Sequence, residues 1–272
     1  MNIPLEDSYL DVLGKAQRGL SLSTEDIAAK SGINAAKVSS IFAGEKDDEA
    51  ILGIAKVLQL APERVIKLAE GEYKPDHVTP PEGLACFNTP FEDMTVNSFL
   101  AWDAATKEAV AFDTGADASD MLALVASKGL KLKYLLLTHS HGDHILDLDR
   151  IVEKTHTEAW IGDQEGFEGP KLFAAGKEFT VGSLRIGSRL TFGHAKGGIT
   201  YVVEGLSSPL AIVGDAIFAG SMGGGAVSYA DAVRTNKKEI FSLADSTIIC
   251  PGHGPITTVG EQRQNNPFFP GV

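Results

Sequence analysis

Two hydrophobic rhythms divide the chain. Up to about residue 72 the apolar positions recur at helical spacing: Ile51, Ile54, Ala55 and Leu58 share one face, as do Val38 with Ile41 and Val65 with Leu68. The punctuation between them agrees. Ser23-Thr24-Glu25-Asp26 offers a capping-box-like start to a helix that runs through Ile27, Ala28 and Ala29 to Lys30, and Ser31-Gly32 ends it. Asn34 can cap the next helix and Gly44 stop it, and Pro62 suits the first turn of the last. Beyond residue 84 the pattern turns to β-rich runs and glycine turns. It predicts strands at 84–87, 96–102, 109–112, 134–138, 184–186, 201–203, 210–213 and 247–250, with helices at 119–128 and 230–243. Tyr134-Leu135-Leu136-Leu137 is uniformly apolar, as expected of a strand covered on both faces. Prolines and glycines in Gly71-Glu72-Tyr73-Lys74-Pro75 and Thr79-Pro80-Pro81-Glu82-Gly83 exclude a regular element and mark a linker. The expected class is α+β: a small all-α head over 1–72, a linker over 73–83, and an αββα sandwich over 84–272.

Helix, glycine-containing turn, helix is the helix-turn-helix pattern, and over about 65 residues the head resembles the five-helix DNA-binding domain of the Cro and phage-repressor class. Its charge points away from DNA. Through Pro75, nine Lys and Arg stand against twelve Asp and Glu, whereas neutralising phosphates needs the reverse. The would-be recognition helix, Ala35-Ala36-Lys37-Val38-Ser39-Ser40-Ile41-Phe42, has one basic residue and no Asn, Gln or Arg to read base edges. Lys30, Lys37 and Lys46 could still touch phosphates. The head is therefore expected to pack or to form a homodimer, without sequence-specific DNA as a partner. For the whole chain the net charge of −12 gives no nucleic-acid footprint.

At 43% hydrophobic and 22% charged residues the chain is neither disordered nor fibrous. No apolar run approaches a membrane span, and the acidic start MNIPLEDSYL is unlike a secretory signal, so a cytoplasmic protein with no membrane partner is expected. Cys86 and Cys250 lie far apart in sequence and are expected as buried strand residues rather than a disulfide; Cys250, three residues before His253, is at most a soft metal ligand.

The chemistry is concentrated in Thr138-His139-Ser140-His141-Gly142-Asp143-His144, placed where an apolar strand runs out. Side chains two apart in extended backbone point the same way, so His139 and His141 can converge on one metal ion. Gly142 permits a bend that aims Asp143 and His144 at a second site. Three later motifs each place a glycine and then a ligand after an apolar segment: Phe192-Gly193-His194, Val213-Gly214-Asp215 and Pro251-Gly252-His253. Imidazole with carboxylate suits zinc, iron or manganese, whereas calcium would call for more oxygen ligands. His77 and His156 fall outside the set.

The order HxHxDH, His, Asp, His resembles that of the metallo-β-lactamase superfamily over roughly residues 84–269. Pro251-Gly252-His253-Gly254-Pro255, Thr257-Thr258 and Asn266-Pro267-Phe268 look like its glyoxalase II-like hydrolases. The resemblance implies two divalent ions, zinc in the first place and iron or manganese as options. His139, His141 and His194 would hold the first, Asp143, His144 and His253 the second, with Asp215 bridging and Asp113 supporting the ligand loop. It implies a hydroxyacylglutathione hydrolase-like enzyme in which metal-bound hydroxide cleaves a thioester, ester or lactone, and Asp143 or Asp215 carries the proton. The family's glutathione anchors are missing: Ser221-Met222-Gly223-Gly224-Gly225-Ala226-Val227-Ser228-Tyr229 holds no Lys or Arg, and only 19 residues follow His253. Tyr229, Arg234, Lys237 and Lys238 are the remaining candidates for a substrate anion. Two other readings stay open. One is a persulfide dioxygenase with a single iron on His139, His194 and Asp215; the other is a DNA-binding regulator that senses a metal or metabolite. A nuclease is a weaker option, disfavoured by the acidic charge.

Overall fold

The computed structural model describes residues 3–272. Five helices open the chain: α1 (Tyr9–Gly19), α2 (Thr24–Ser31), α3 (Ala35–Phe42), α4 (Asp48–Val57) and α5 (Pro62–Glu70). Their ends follow the local chemistry. The Ser23 side chain accepts from the Asp26 amide and the Asp26 side chain reaches back, Asn34 caps α3, and Gly32 ends α2 in the left-handed region at φ +75°. A second capping box, Ser8 with Asp11, starts α1; the apolar pattern alone did not delimit that helix.

Two six-stranded sheets follow. In the first, β1 (Leu84–Phe91), β2 (Met94–Trp102), β3 (Glu108–Phe112), β4 (Lys131–Leu136), β5 (Glu158–Gly162) and β6 (Lys171–Phe173) lie in chain order. Pairing is antiparallel through β3 and parallel beyond it. Parallel neighbours need crossovers: α6 (Ser119–Lys128) joins β3 to β4, the short α7 (Gly142–Ile145) and α8 (Leu148–Thr155) join β4 to β5, and a loop without a helix joins β5 to β6. The second sheet comprises β7 (Glu178–Val181), β8 (Leu184–Leu190), β9 (Ile199–Glu204), β10 (Leu210–Gly214), β11 (Ile248–Pro251) and β12 (Thr257–Thr258), in reverse chain order across the sheet. Its one parallel pair, β10 with β11, is joined through α9 (Tyr229–Glu239), and α10 (Val259–Asn265) follows β12.

Phe99, Phe112, Ile186, Tyr201 and Ile212 fill the space between the sheets, with the Phe112 and Tyr201 rings 5.5 Å apart. Half-buried Cys86 and fully buried Cys250 belong to this apolar layer and are unpaired thiols. Burial pushes the Cys86 thiol up to about 12 and that of Cys250 well above its ordinary value, which fits packing rather than ligation. Met121, Val125 and Ile151 from α6 and α8 cover the outer face of the first sheet, completing the expected αββα sandwich.

The head is welded to the other outer face. Leu13, Ala16, Ile54, Leu58 and Val65 form one continuous buried cluster with Ala216, Ile217, Phe241, Ile249, Phe268 and Phe269. The stretch expected as a linker has no regular structure, yet it is held: the buried Tyr73 hydroxyl donates to Glu261 at 3.0 Å, and the Asp76 amide to the same carboxylate at 3.1 Å. Among the described residues no helix is long and apolar enough to cross a membrane.

Candidate metal centre

All seven proposed ligands converge where strands of both sheets end. His139 and His141 lie in the extended segment after β4, and Asp143 and His144 are on α7. His194 follows β8, Asp215 follows β10 and His253 follows β11. The side chains form two sets. His139, His141, His194 and Asp215 place one ligand atom each within 4.8 Å of one another, as do Asp143, His144 and His253. In the first set His141 Nδ1 is 3.0 Å from His139 Nε2 and 3.1 Å from His194 Nε2. Nitrogens at tetrahedral zinc distances would stand about 3.3 Å apart. Asp215 lies between the sets, with Oδ2 3.4 Å from His194 Nε2 and 3.4 Å from His253 Nε2, and Oδ1 3.3 Å from His144 Nε2.

Four of the imidazoles are oriented from behind. His253 Nδ1 donates to the Thr95 carbonyl at 2.7 Å, His194 Nδ1 to the Gly224 carbonyl at 2.8 Å, and His144 Nδ1 to Asp113 Oδ2 at 2.8 Å. The Thr138 hydroxyl donates to Asp113 and so accepts from His139 Nδ1 at 3.0 Å. Each partner selects the Nδ1–H tautomer, which leaves the Nε2 lone pair facing inward, the arrangement a metal ion requires. His144 Nε2 and Asp215 Oδ1 are buried and have no hydrogen-bond partner. These orphaned atoms and inward lone pairs fit a pair of cations.

The electrostatics of the bare protein point the same way. Burial alone would push the His144 and His253 imidazoles down, but Asp215 and its neighbouring carboxylates prevail and hold them up at about 10 and about 11. Burial would raise Asp215, but His253 and His144 keep it well below the usual carboxylate range. His139 is driven well down by burial and then by His144. Cations would replace the protons that the carboxylates otherwise hold on the rings.

Two glycines are required by space. A Cβ on Gly252 would stand 2.2 Å from Asp215 Oδ1 and 2.6 Å from His144 Cε1; one on Gly214, at φ +51°, would meet Thr138 Oγ1 at 2.5 Å. Asp113 supports the ligand loop as expected. It sits at φ +55°, accepts from the Thr138 amide at 2.7 Å and anchors His144. The sequence reading missed two other supports. Glu165 accepts from Ser140 N at 2.8 Å and Gly197 N at 2.6 Å, tying the two histidine loops together. Asn97 donates to the carbonyls of Pro251 and Gly254 at 2.9 and 2.8 Å, bracing the His253 turn. A polar side chain inside the apolar run 96–102 was the only local hint of the second; Glu165 had none. Three of the four α9 candidates have other partners. Tyr229 is packed against Gly19 and Phe268, Arg234 pairs with Asp231 at 2.7 Å, and Lys238 pairs with Glu239 at 2.7 Å.

Known proteins share this body. The chain is 28% identical over 186 residues to a probable metallo-hydrolase, YqgX, of Bacillus subtilis, covering 59% of this chain and 86% of that protein. It is 26% identical over 198 residues to the hydroxyacylglutathione hydrolase GloC of Haemophilus influenzae, covering 64% and 92% respectively. The crystal structure of ETHE1 from Myxococcus xanthus superposes with a TM-score of 0.59 at 25% identity, over 67% of this chain and 83% of that one. The family model described as the metallo-beta-lactamase superfamily matches residues 92–253, a span holding all seven convergent side chains, and the chain belongs to that superfamily.

Proposed function

We propose that the protein is a dinuclear metal-dependent hydrolase of a small thioester, ester or lactone. His139, His141 and His194 would hold one ion and Asp143, His144 and His253 the other, with Asp215 placed between them. The observation that carries this reading is the set of backing hydrogen bonds that turns four imidazole lone pairs inward around two orphaned buried atoms. Two bound divalent ions would lower the pKa of water from ~15.7 towards ~7 and polarise a carbonyl. Asp113, Thr95 and Gly224 keep the rings in place. Asp143, 3.2 Å from His253 Nε2, and Asp215 are the carboxylates positioned to hold or move a proton. The same donor set suits zinc first, and iron or manganese. A single ion on His139, His194 and Asp215 would leave no ion for Asp143, His144 and His253, although these three also bring ligand atoms within 4.8 Å of one another.

The hydroxyacylglutathione hydrolase among the relatives supports acyl chemistry. Exposed apolar side chains beside three of the segments at the centre support an apolar acyl group over glutathione. Among the described residues, the large apolar side chains left exposed are Met94, Leu146, Leu172 and Val227. Met94 precedes Thr95, Leu146 follows the helix bearing His144, and Val227 donates its amide to Gly193 beside His194. Assay of thioesters, lactones and phosphodiesters, with elemental analysis of the same preparation, tests the proposal. An acyl substrate with a short apolar group is expected to exceed glutathione thioesters in kcat/KM, with two ions per chain. Glutathione-thioester turnover in the ordinary range of about 10⁴–10⁸ M⁻¹s⁻¹ would count against this substrate class, and full activity with one ion or none against the mechanism.

We infer further that the helix-turn-helix-like head packs rather than reads DNA. Lys37, the one cation on α3, is engaged by Glu45 at 2.5 Å and Asp47 at 2.7 Å, and Lys46 donates to the Ala69 carbonyl at 2.6 Å. Selection from a random DNA pool at physiological salt is expected to enrich no motif; a palindrome lost on Lys37→Ala would reverse this inference.

A further inference from the structure

We propose that the head is a working part of the metal centre, with Asp7 and Lys15 as positioning residues for the loop that follows Asp215. The proposal rests on the metal-centre reading above and concerns residues outside the matched family span.

The loop from Ala216 to Gly225 touches the centre at three points. The Gly223 amide donates to the Asp215 carbonyl at 3.1 Å, the Gly224 carbonyl accepts from His194 Nδ1 at 2.8 Å, and the Phe218 ring stands edge-on to the His253 imidazole at 5.6 Å. A displaced loop would therefore release two ligands from behind. From the body, α10 holds one side: Asn266 donates to the Ser221 carbonyl at 2.7 Å, and Gln262 accepts from the Gly220 amide at 2.8 Å.

The head holds the other. Lys15 Nζ donates to the Met222 carbonyl at 2.9 Å and to Asp7 Oδ2 at 2.5 Å, and the Ser221 hydroxyl donates to the same carboxylate. The Lys15 ammonium also lies 5.1 Å from the centroid of the Phe218 ring. Lys15 and Asp7 are only 16% and 7% exposed, so this is a built pair and not a surface ion pair. Beside it, Glu6 Oε2 stands 4.0 Å from His253 Nδ1. The glycine triplet fits the same arrangement: a Cβ on Gly223 would fall 2.0 Å from the Asp215 carbonyl and 2.8 Å from His194 Nδ1. Where the family resemblance implies substrate anchors, this chain has a bare backbone loop gripped by its own head.

The test compares full-length Lys15→Met, Lys15→Arg and a control, Ile51→Val, which trims the head's buried core without touching the loop. Hydrogen exchange across residues 216–225 is followed in the metal-free protein, and ion retention against a chelator in the loaded one. Lys15→Met is expected to speed exchange in that segment and to weaken ion retention on the order of 10- to 100-fold, the usual effect of removing support from a ligand. Lys15→Arg is expected to restore both in part, and Ile51→Val to change neither. Unchanged exchange in Lys15→Met, or equal acceleration in the Ile51→Val control, overturns the proposal. A wild-type protein that retains no metal overturns the proposed function instead, because loop exchange is read without metal.

Discussion

Asp215→Ala is expected to lower kcat/KM by well over about 100-fold and to leave fewer than two ions on the chain, since even residues that merely support ligands cost 10- to 100-fold. Asp215 approaches both sets of ligands, within 3.4 Å of His194 Nε2 on one side and of His253 Nε2 on the other. Its removal also takes away the largest of the charges that, against burial, hold His144 and His253 up at about 10 and about 11. Asp143 would then be left facing the inward Nε2 atoms of His144 and His253, so the change damages the electrostatics and the bridge together. Elemental analysis and steady-state kinetics on one preparation decide the matter. Near-normal turnover with two ions would show that the bridge is dispensable.

Deleting residues 1–83 is expected to give insoluble or unfolded protein, although relatives such as YqgX match the chain over only 59% of its length and are themselves 86% covered. In this chain the outer face of the second sheet and its helices carries Ile217, Met222, Phe241, Phe268 and Phe269, all buried in a cluster shared with the head. Exposing a fully buried large apolar side chain costs about 1.5–3 kcal/mol. Several such exposures rival the whole net stability of a domain, about 5–15 kcal/mol. The deletion also removes Tyr73 and leaves Glu261 buried with fewer donors. Soluble expression with a cooperative melting transition within a few degrees of the full chain would show that the body stands alone.

The seven convergent residues were legible because each sits in a short local motif at the end of an apolar run, and strand ends are where chain direction and side-chain direction are both constrained. Asp113 was reached only through the family resemblance, since by itself an Asp after an apolar run is a plain turn residue. Glu165, Asn97, Glu6 and Lys15 were not, because their roles exist only between segments distant in sequence: Lys15 meets Met222 across 207 positions and Asn97 meets Pro251 across 154. The predicted strand 134–138 begins earlier, at Lys131, where alternation of exposed lysines with buried Leu132 hides it from an all-apolar pattern. Strands β5 to β7 and β12 were missed because they are only five, three, four and two residues long, too short for an alternating pattern to stand out. Prolines and glycines correctly excluded regular structure from 73–83, but they carried no information about Tyr73 finding Glu261.

The two halves of the centre differ in how they meet solvent. His141 is exposed and His194 half-buried, whereas Asp143, His144 and His253 are all buried. An ion in the first set can be approached by a competing chelator directly; one in the second must wait for the turn bearing His253 or the helix bearing His144 to open. The two ions should therefore leave on separate clocks, a fast phase followed by a slow one whose rate tracks local opening. In the interval between the phases the protein would hold one ion, at the inner position. Adding a different metal then would build a mixed pair with each element in a known place, and spectroscopy on a cobalt-substituted outer site could follow substrate binding beside a spectroscopically silent inner zinc.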